Sequence, residues 1–243
     1  CPFQNTWNNR NLGGDLNGDA VITQPKQQIN IVSTMPGTVV WITPRCAVVG
    51  HAANITYSIA MGYGDVYTVE NVTQSTNTLT PGQNLGGTIV VSNNPISVTV
   101  ADDSVITPGG GCFDLIGDQI VPVDVVGDSY IANLGFMFAA SVESIFVVAT
   151  DNFTQVTINN GAPFTYTLNK GDTKQFPMTT PLAYVQATKP VYLWQTSGYG
   201  CESGGAILPP LECAGSDTVV FSRNNTQPFL INVVCKAGNQ GNF

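Results

Sequence analysis

Three oxygen-bearing side chains near the start of the chain could bind a cation. Asp15, Asn17 and Asp19 take the first, third and fifth positions of a candidate calcium loop. A complete loop also needs glycine at position six and an acidic ligand at position twelve, where this chain has Ala20 and Lys26. Two interpretations therefore stay open, a calcium site and a plain turn rich in Asp, Asn and Gly.

A second acidic set offers a weaker calcium candidate and a possible carboxylate pair for glycoside hydrolysis. It consists of Asp102, Asp103, Asp114 and Asp118. Aspartates in segments rich in Gly and Pro more often form turns by bonding their own backbone. The only histidine is His51, and no nucleophile motif such as G-x-S-x-G occurs. We therefore expect His51 to be structural and the protein not to be an enzyme.

Six cysteines, an even number, predict three disulfides of an extracellular protein, because no pair has the C-x-x-C spacing of a zinc or redox site. The alternative is free, buried thiols in a reducing compartment. A short segment containing two prolines favours Cys201–Cys213 as a local pair. Elimination then leaves Cys46–Cys112 and Cys1–Cys235.

Composition also indicates a secreted chain. Only 10% of the 243 residues are charged, the net charge is −8, and the pI is near 4.3. Such acidity argues against nucleic acid and anionic membranes as partners. No run approaches the 18 apolar residues of a membrane span. Without an initiating Met, we expect a mature product from which a signal peptide has been removed. Candidate N-glycosylation sites lie at Asn54, Asn71, Asn152 and Asn224.

Short runs of β-branched and aromatic residues, separated by Gly, Pro, Asn or Asp, predict an all-β fold with almost no helix. Polar and apolar residues alternate in Thr154–Ile158 and in Thr165–Leu168. Asn159-Asn160-Gly161 between them predicts a hairpin turn. Further strands are predicted at Val39–Ile42, Thr88–Val91, Ser97–Val100, Phe146–Val148, Gln155–Ile158, Phe164–Leu168 and Val191–Trp194.

An internal repeat organises these strands. Ile29–Thr34 (INIVST) matches Ile145–Thr150 (IFVVAT) at an offset of 145 − 29 = 116, and Pro95 matches Pro190 at 190 − 95 = 95. Cys112 then matches Cys201 at 201 − 112 = 89. The landmarks keep their order while the offset shrinks, so the first copy has the longer loops. We expect two tandem, internally duplicated β-sandwich-like lobes, 27–135 and 142–235, between an extension (1–26) and a tail (236–243).

The second copy also carries a family resemblance. Its motifs are Val148–Ile158, Tyr166–Asp172, Ala187–Tyr192, Cys201 and Ile207–Pro210. They resemble the amino-terminal domain of IgG Fc-binding protein and its bacterial adhesin-like relatives. Residues 95–104, 111–119 and 121–130 of the first copy are similar to bacterial versions, so the resemblance covers roughly 29–235. It implies an extracellular, non-enzymatic β-domain of adhesive proteins, without implying antibody binding.

Two functions remain open, an adhesin and a self-assembling subunit, and the sequence favours the self-assembling subunit. An adhesin that binds glycoprotein or glycan would use an exposed aromatic platform, for which Trp7, Trp41 and Trp194 are candidates, although Trp41 and Trp194 lie in strands and are expected in the core. A self-assembling surface or filament subunit would instead pair with copies of itself. The strand-like run Pro228–Cys235, including Phe229, Leu230, Ile231, Val233 and Val234, resembles the opening strands, yet no third copy follows it. It must close its own lobe or pair with a neighbour.

Overall fold

A computed structural model describes residues 8–9, 26–72, 84–106, 114–137, 142–215, 218, 220, 226 and 231–242. These residues form an all-β structure, as predicted. Short 3-10 turns at Val123–Val125, Leu211–Cys213 and Gln240–Asn242 are the helical elements in this part of the chain. No helix within the described ranges is long and apolar enough to cross a membrane.

In the described ranges, nine strands precede residue 134 and eight follow it. The first nine are β1 (Asn8–Asn9), β2 (Gln27–Ser33), β3 (Thr38–Thr43), β4 (Tyr57–Met61), β5 (Val66–Glu70), β6 (Ile89–Ser92), β7 (Ile96–Ile106), β8 (Asp114–Ile120) and β9 (Ser129–Asn133). The others are β10 (Phe136–Met137), β11 (Ser144–Ala149), β12 (Thr154–Asn160), β13 (Ala162–Leu168), β14 (Thr173–Pro177), β15 (Leu182–Ala187), β16 (Val191–Gly200) and β17 (Glu202–Ile207). Each strand predicted from the sequence overlaps one of these.

The strands form four sheets. Sheet I has the order β1-β7-β2-β5, with β8 also paired to β7, and sheet II has the order β4-β3-β6. Sheet III has the order β10-β16-β11-β14, with β17 also paired to β16, and sheet IV has the order β13-β12-β15-β9. Sheet III therefore repeats the strand order of sheet I, although β10 is parallel to β16 whereas β1 is antiparallel to β7. Sheet IV repeats the order of sheet II with β9 added.

Equivalent residues in the two halves make equivalent hydrogen bonds. The Thr34 hydroxyl donates to the Pro95 carbonyl at 2.6 Å, and the Thr150 hydroxyl donates to the Pro190 carbonyl at 2.5 Å. Both bonds tie the end of a sheet-opening strand to the residue just before the partner strand. The residues that match in sequence thus make the same contact in the two halves. Superposition of two separate lobes stays a prediction.

Two hydrophobic clusters fill the fold, and sheet III lies between them. Ile145 and Leu193 belong to the second cluster, together with residues of sheet IV. Phe146 and Trp194, which pair across β11 and β16, belong instead to the first cluster with residues of sheets I and II. Because successive side chains of a strand point to opposite faces, β11 is apolar on both sides. The two halves are therefore packed against each other.

The lobe boundary predicted at residue 135 does not follow the hydrogen-bonded sheets. Strand β9 pairs with β15, and β10 pairs with β16, so residues 129–137 pair with the second half. In the same way β1, within the predicted extension, pairs with β7 of the first half. In both halves a two-residue strand is thus added to the long strand, β1 to β7 and β10 to β16.

Polar contacts also join the halves. The Asp114 carboxylate accepts from both the amide and the hydroxyl of Ser203 at 2.8 Å, and the Asp118 carboxylate accepts from the Ile207 amide at 2.9 Å. At the other end of the junction, the Arg45 guanidinium pairs with Asp172 at 2.7 Å. This ion pair is partly exposed to solvent, so we expect it to contribute orientation more than stability.

Candidate functional site

A groove opens in the second half, between the edge strand β13 of sheet IV and the edge strand β14 of sheet III. Its volume is about 560 Å³. We call it the β13–β14 groove. Its lining residues are Ile158, Asn160, Gly161, Ala162, Phe164, Tyr166, Lys174, Gln175, Phe176, Pro177 and Thr179. Each of these edge strands has one partner strand in the described part of the chain, so each leaves one side free.

Aromatic rings dominate the groove. Tyr166 meets Phe176 edge to face, with ring centroids 5.3 Å apart. The Lys174 ammonium lies over the Tyr166 ring at 5.0 Å from its centroid. Phe164 lies next to them on β13 and keeps 50% of its surface exposed. A half-exposed ring beside a cation favours flat, partly polar ligands, because such ligands stack on the ring and bond to the charge.

The register of the β12–β13 hairpin explains why these rings face inward. Phe164 pairs with Ile158 and Tyr166 with Val156, both of which are fully buried. Paired residues share a face, so Phe164 and Tyr166 point toward the core side. Gly161, with φ +92°, makes a tight turn between the strands. The short turn leaves the outer half of these rings uncovered.

In the first half, a longer loop covers the equivalent place. Residues 44–56 connect β3 to β4. Tyr57 pairs with Ile42 as Phe164 pairs with Ile158, and 42 + 116 = 158, so Tyr57 and Phe164 are equivalent. The loop folds back and stacks His51 on Tyr57, with parallel rings 3.4 Å apart. Burial raises the pKa of Tyr57 well above its ordinary value.

The same loop also bonds to the end of β5. The Val49 amide donates to the Glu70 carbonyl at 3.0 Å, and the Val72 amide donates to the Ala47 carbonyl at 3.3 Å. The loop backbone therefore extends sheet I by a short antiparallel pairing, seen also as a bridge between Val48 and Asn71.

In the second half, one side chain makes the corresponding bonds. The Asn160 amide nitrogen donates to the Pro177 carbonyl at 2.7 Å, and its amide oxygen accepts from the Thr179 amide at 3.0 Å. Pro177 and Thr179 correspond to Glu70 and Val72, since Ser144–Pro177 pairs as Gln28–Glu70 does. Asn160 thus satisfies these backbone groups without a loop, and the groove beside it stays open.

The candidate metal ligands separate into two groups. Asp15, Asn17 and Asp19 lie outside the described residues, so the calcium loop stays a prediction. In the second acidic set, the Asp114 and Asp118 carboxylates bond to β17, and the Asp103 carboxylate accepts from the Lys26 backbone amide, so these three carboxylates make structural contacts. Within the described ranges, no three His, Cys, Asp or Glu side chains cluster closely enough to hold a metal ion.

The predicted disulfide pairs are wrong. Cys46, Cys213 and Cys235 are free thiols, whereas Cys201 is disulfide-bonded. Hence Cys201–Cys213, Cys46–Cys112 and Cys1–Cys235 are not formed. Cys46 is completely buried, and desolvation raises its pKa to about 11. It packs as a small apolar residue of the first cluster. Cys1 and Cys112 lie outside the described residues.

The sequons differ in accessibility. Asn54 and Asn152 are exposed in turns. Asn71, however, is 1% exposed, and its side-chain oxygen accepts from the backbone amide of Gln27 at 2.9 Å. Asn71 is therefore a structural residue and a wrong candidate for glycosylation, because attachment needs a free side-chain nitrogen at the surface. Asn224 lies outside the described residues.

The tryptophans and His51 also differ in how far they agree with the sequence-based expectations. Trp194 is buried as expected, but Trp41 is 41% exposed on the outer face of sheet II, where it pairs with Val91. The expectation of a core position for Trp41 is thus wrong, and Trp7 lies outside the described residues. His51 is structural through its stack on Tyr57.

The predicted assembly segment forms no strand in its described part. Residues 231–236 have no regular secondary structure and belong to none of the sheets. Ile231, Val233 and Val234 are 54%, 58% and 44% exposed, and the Asn232 amide donates to the Leu134 carbonyl at 3.0 Å. Pro228, Phe229 and Leu230 lie outside the described residues.

A family model described as IgGFc binding protein matches residues 6–242, nearly the whole chain. The chain belongs to this family. No curated protein and no solved structure matches it. Membership in the IgGFc binding protein family identifies the coarse class of function, a binding module, and confirms the resemblance seen in the sequence.

Sequence reasoning missed the groove that this family member carries. Strand β14, which supplies Lys174 and Phe176, is not among the predicted strands. One signal was available: the turn of the β12–β13 hairpin is short, whereas the matching first-half segment is long. An aromatic residue that the longer segment covers would be left open by the shorter one.

Proposed function

We propose that the protein is a non-enzymatic extracellular binding module that recognises a glycoprotein through the β13–β14 groove. The observation that carries the proposal is the half-exposed Phe164 ring, set beside Tyr166 and Lys174 in an open groove. The described residues that line the groove include no carboxylate, imidazole or thiol. That lining suits recognition by stacking and hydrogen bonding rather than acid–base chemistry.

The family name suggests the first partner to test, the Fc region of immunoglobulin G. Immobilised protein would be exposed to Fc, to a mucin-type glycoprotein and to enzymatically deglycosylated forms of both. We expect saturable binding of at least one glycoprotein, weakened at least tenfold by the double change Phe164→Ala, Tyr166→Ala. Phe136→Ala is the control, since Phe136 is 47% exposed on β10. No binding, or an equal loss in the control, would contradict the proposal.

A second candidate is self-assembly, favoured by the exposed Ile231, Val233 and Val234 of the C-terminal segment. An apolar segment that lies outside any sheet can add as a strand to the free edge of a neighbour's sheet. Light scattering and electron microscopy would compare the full chain with a form lacking residues 228–243. Oligomers or fibres that the truncation abolishes would support self-assembly through this segment. Equal assembly of both forms would show that the segment plays no part in assembly.

The predicted calcium loop can be tested by calorimetric titration. Calcium binding that Asp15→Asn, Asp19→Asn removes would establish the site, and unchanged binding would reject it.

A further inference from the structure

The two halves have equivalent clefts, of which the first is filled and the second is open. In the first half, the cleft over Tyr57 is filled by the chain's own loop 44–56, through the His51 ring. In the second half, the equivalent cleft over Phe164 is open. The first half therefore shows which kind of occupant this cleft accepts.

That occupant is a polypeptide segment, and it makes two kinds of contact with the cleft. The loop stacks a planar side chain on the aromatic ring, and its backbone pairs with the end of the adjoining edge strand at Glu70 and Val72. In the second half the matching backbone groups already bond to Asn160. A ligand of the β13–β14 groove therefore does not need to bond to these backbone groups. Its backbone would lie along the free side of β14 instead.

The charge of the groove adds a second requirement. Lys174 replaces Tyr67 of the first half, because Lys174 pairs with Val147 as Tyr67 pairs with Ile31. Among the described residues, no carboxylate lies within ion-pair distance of Lys174, whereas Lys26, Arg45 and Lys189 each have one. In a chain of net charge −8, this is a local site for an acidic group.

We propose that the β13–β14 groove binds an extended segment of a partner protein that stacks a planar ring on Phe164 and places a carboxylate near Lys174. The inference rests on the proposed function and specifies its ligand. A polypeptide is favoured over a glycan because the equivalent cleft holds a polypeptide that pairs with the strand edge. Ring and carboxylate would lie two residues apart, since alternate residues of an extended chain share a side.

The probe is a labelled peptide with the sequence of residues 44–56, carrying Cys46→Ser and Ala53→Asp. Ala53→Asp places a carboxylate two residues after the histidine. One matched peptide also carries His51→Ala, and another keeps Ala53. Fluorescence anisotropy with the full-length protein measures binding. Circular dichroism melts of each variant check its fold.

We expect the probe to bind, and Phe164→Leu to weaken binding about threefold to tenfold, because leucine keeps the apolar contact but removes the ring. His51→Ala in the peptide should produce a similar loss. Lys174→Gln should weaken binding of the Ala53→Asp peptide about twofold to fivefold more than it weakens binding of the peptide that keeps Ala53. Phe136→Leu, on the distant β10, should have no effect.

Three outcomes would overturn the inference: no binding up to millimolar peptide, equal affinity of the protein variants, or equal affinity of the peptides with and without the ring. Glycoprotein binding that depends on Phe164 and survives removal of the protein portion would identify a sugar ring as the occupant instead. In that case the proposed function stands and the peptide inference fails, whereas loss of all glycoprotein binding removes the proposed function itself.

Discussion

Gly87 and Gly171 meet backbone to backbone where the two halves join. A Cβ atom on Gly87 would lie 1.9 Å from the Gly171 carbonyl oxygen, far inside van der Waals contact. Both residues have positive φ, +86° and +80°, which glycine adopts without strain. The junction therefore depends on two glycines rather than on an apolar contact alone.

Gly87→Ala should lower the free energy of unfolding by about 2–4 kcal/mol, because strain at positive φ adds to a backbone clash. Urea unfolding followed by circular dichroism would measure it. Gly37→Ala is the matched control: Gly37 has φ +69° but no atom within 4 Å of its added Cβ. It should cost about 1 kcal/mol. Equal losses in both variants would show that the contact with Gly171 is unimportant.

Phe146→Ala should destabilise the fold by about 3–5 kcal/mol, because it opens a cavity between sheet III and the first hydrophobic cluster. Phe146 is fully buried although its equivalent in the first half, at 146 − 116 = 30, is the polar Asn30. Phe164→Ala, at a half-exposed ring, should cost less than about 1 kcal/mol. Chemical unfolding of both variants tests this, and a small effect at Phe146 would mean that the halves are not packed together.

Free thiols should react at very different rates in the native protein. Cys213 is exposed and should be labelled by a thiol reagent quickly, while buried Cys46 should be protected until the protein unfolds. Unfolding without reductant should expose at least three thiols. Detection of none would restore the fully disulfide-bonded arrangement predicted from the sequence.

The raised pKa of Cys46 has a consequence for stability. Because burial raises it from 9.0 to about 11, the folded state favours the neutral thiol. This stability is fully present below pH 9 and is lost as the pH rises through 11. Cys46→Ala should reduce the loss of stability between pH 9 and 11, measured by thermal melts, relative to Cys213→Ala.

Glycosylation should occur at exposed sequons only. In a eukaryotic secretory host, glycopeptide mapping should find Asn54 or Asn152 occupied and Asn71 unmodified, because Asn71 is buried and bonded to Gln27. Asn152→Gln should remove one glycan from a modified protein. A glycan on Asn71 would require local unfolding of the β2–β5 edge and would contradict its structural role.

Much of the fold could be predicted from local pattern. The alternation in Thr154–Ile158 and the Asn-Gly signal after it correspond to β12 and its turn, because side-chain alternation and turn chemistry are properties of the chain itself. The matched segments INIVST and IFVVAT also differ in a way that indicates different burial. Asn30 alternates with apolar residues, whereas Phe146 makes its strand apolar on both faces, which indicates burial on both sides.

By itself, the sequence determined the strands rich in β-branched residues and the matched landmarks of the two halves, because these follow from periods of a few residues. Only the tertiary structure decided which thiols pair, that Asn71 is buried, and that Tyr57 is covered while Phe164 is open. Those outcomes depend on which distant segment lies over a residue. A long loop reaches Tyr57, while the turn at Gly161 is too short to cover Phe164, so two equivalent positions have different surroundings.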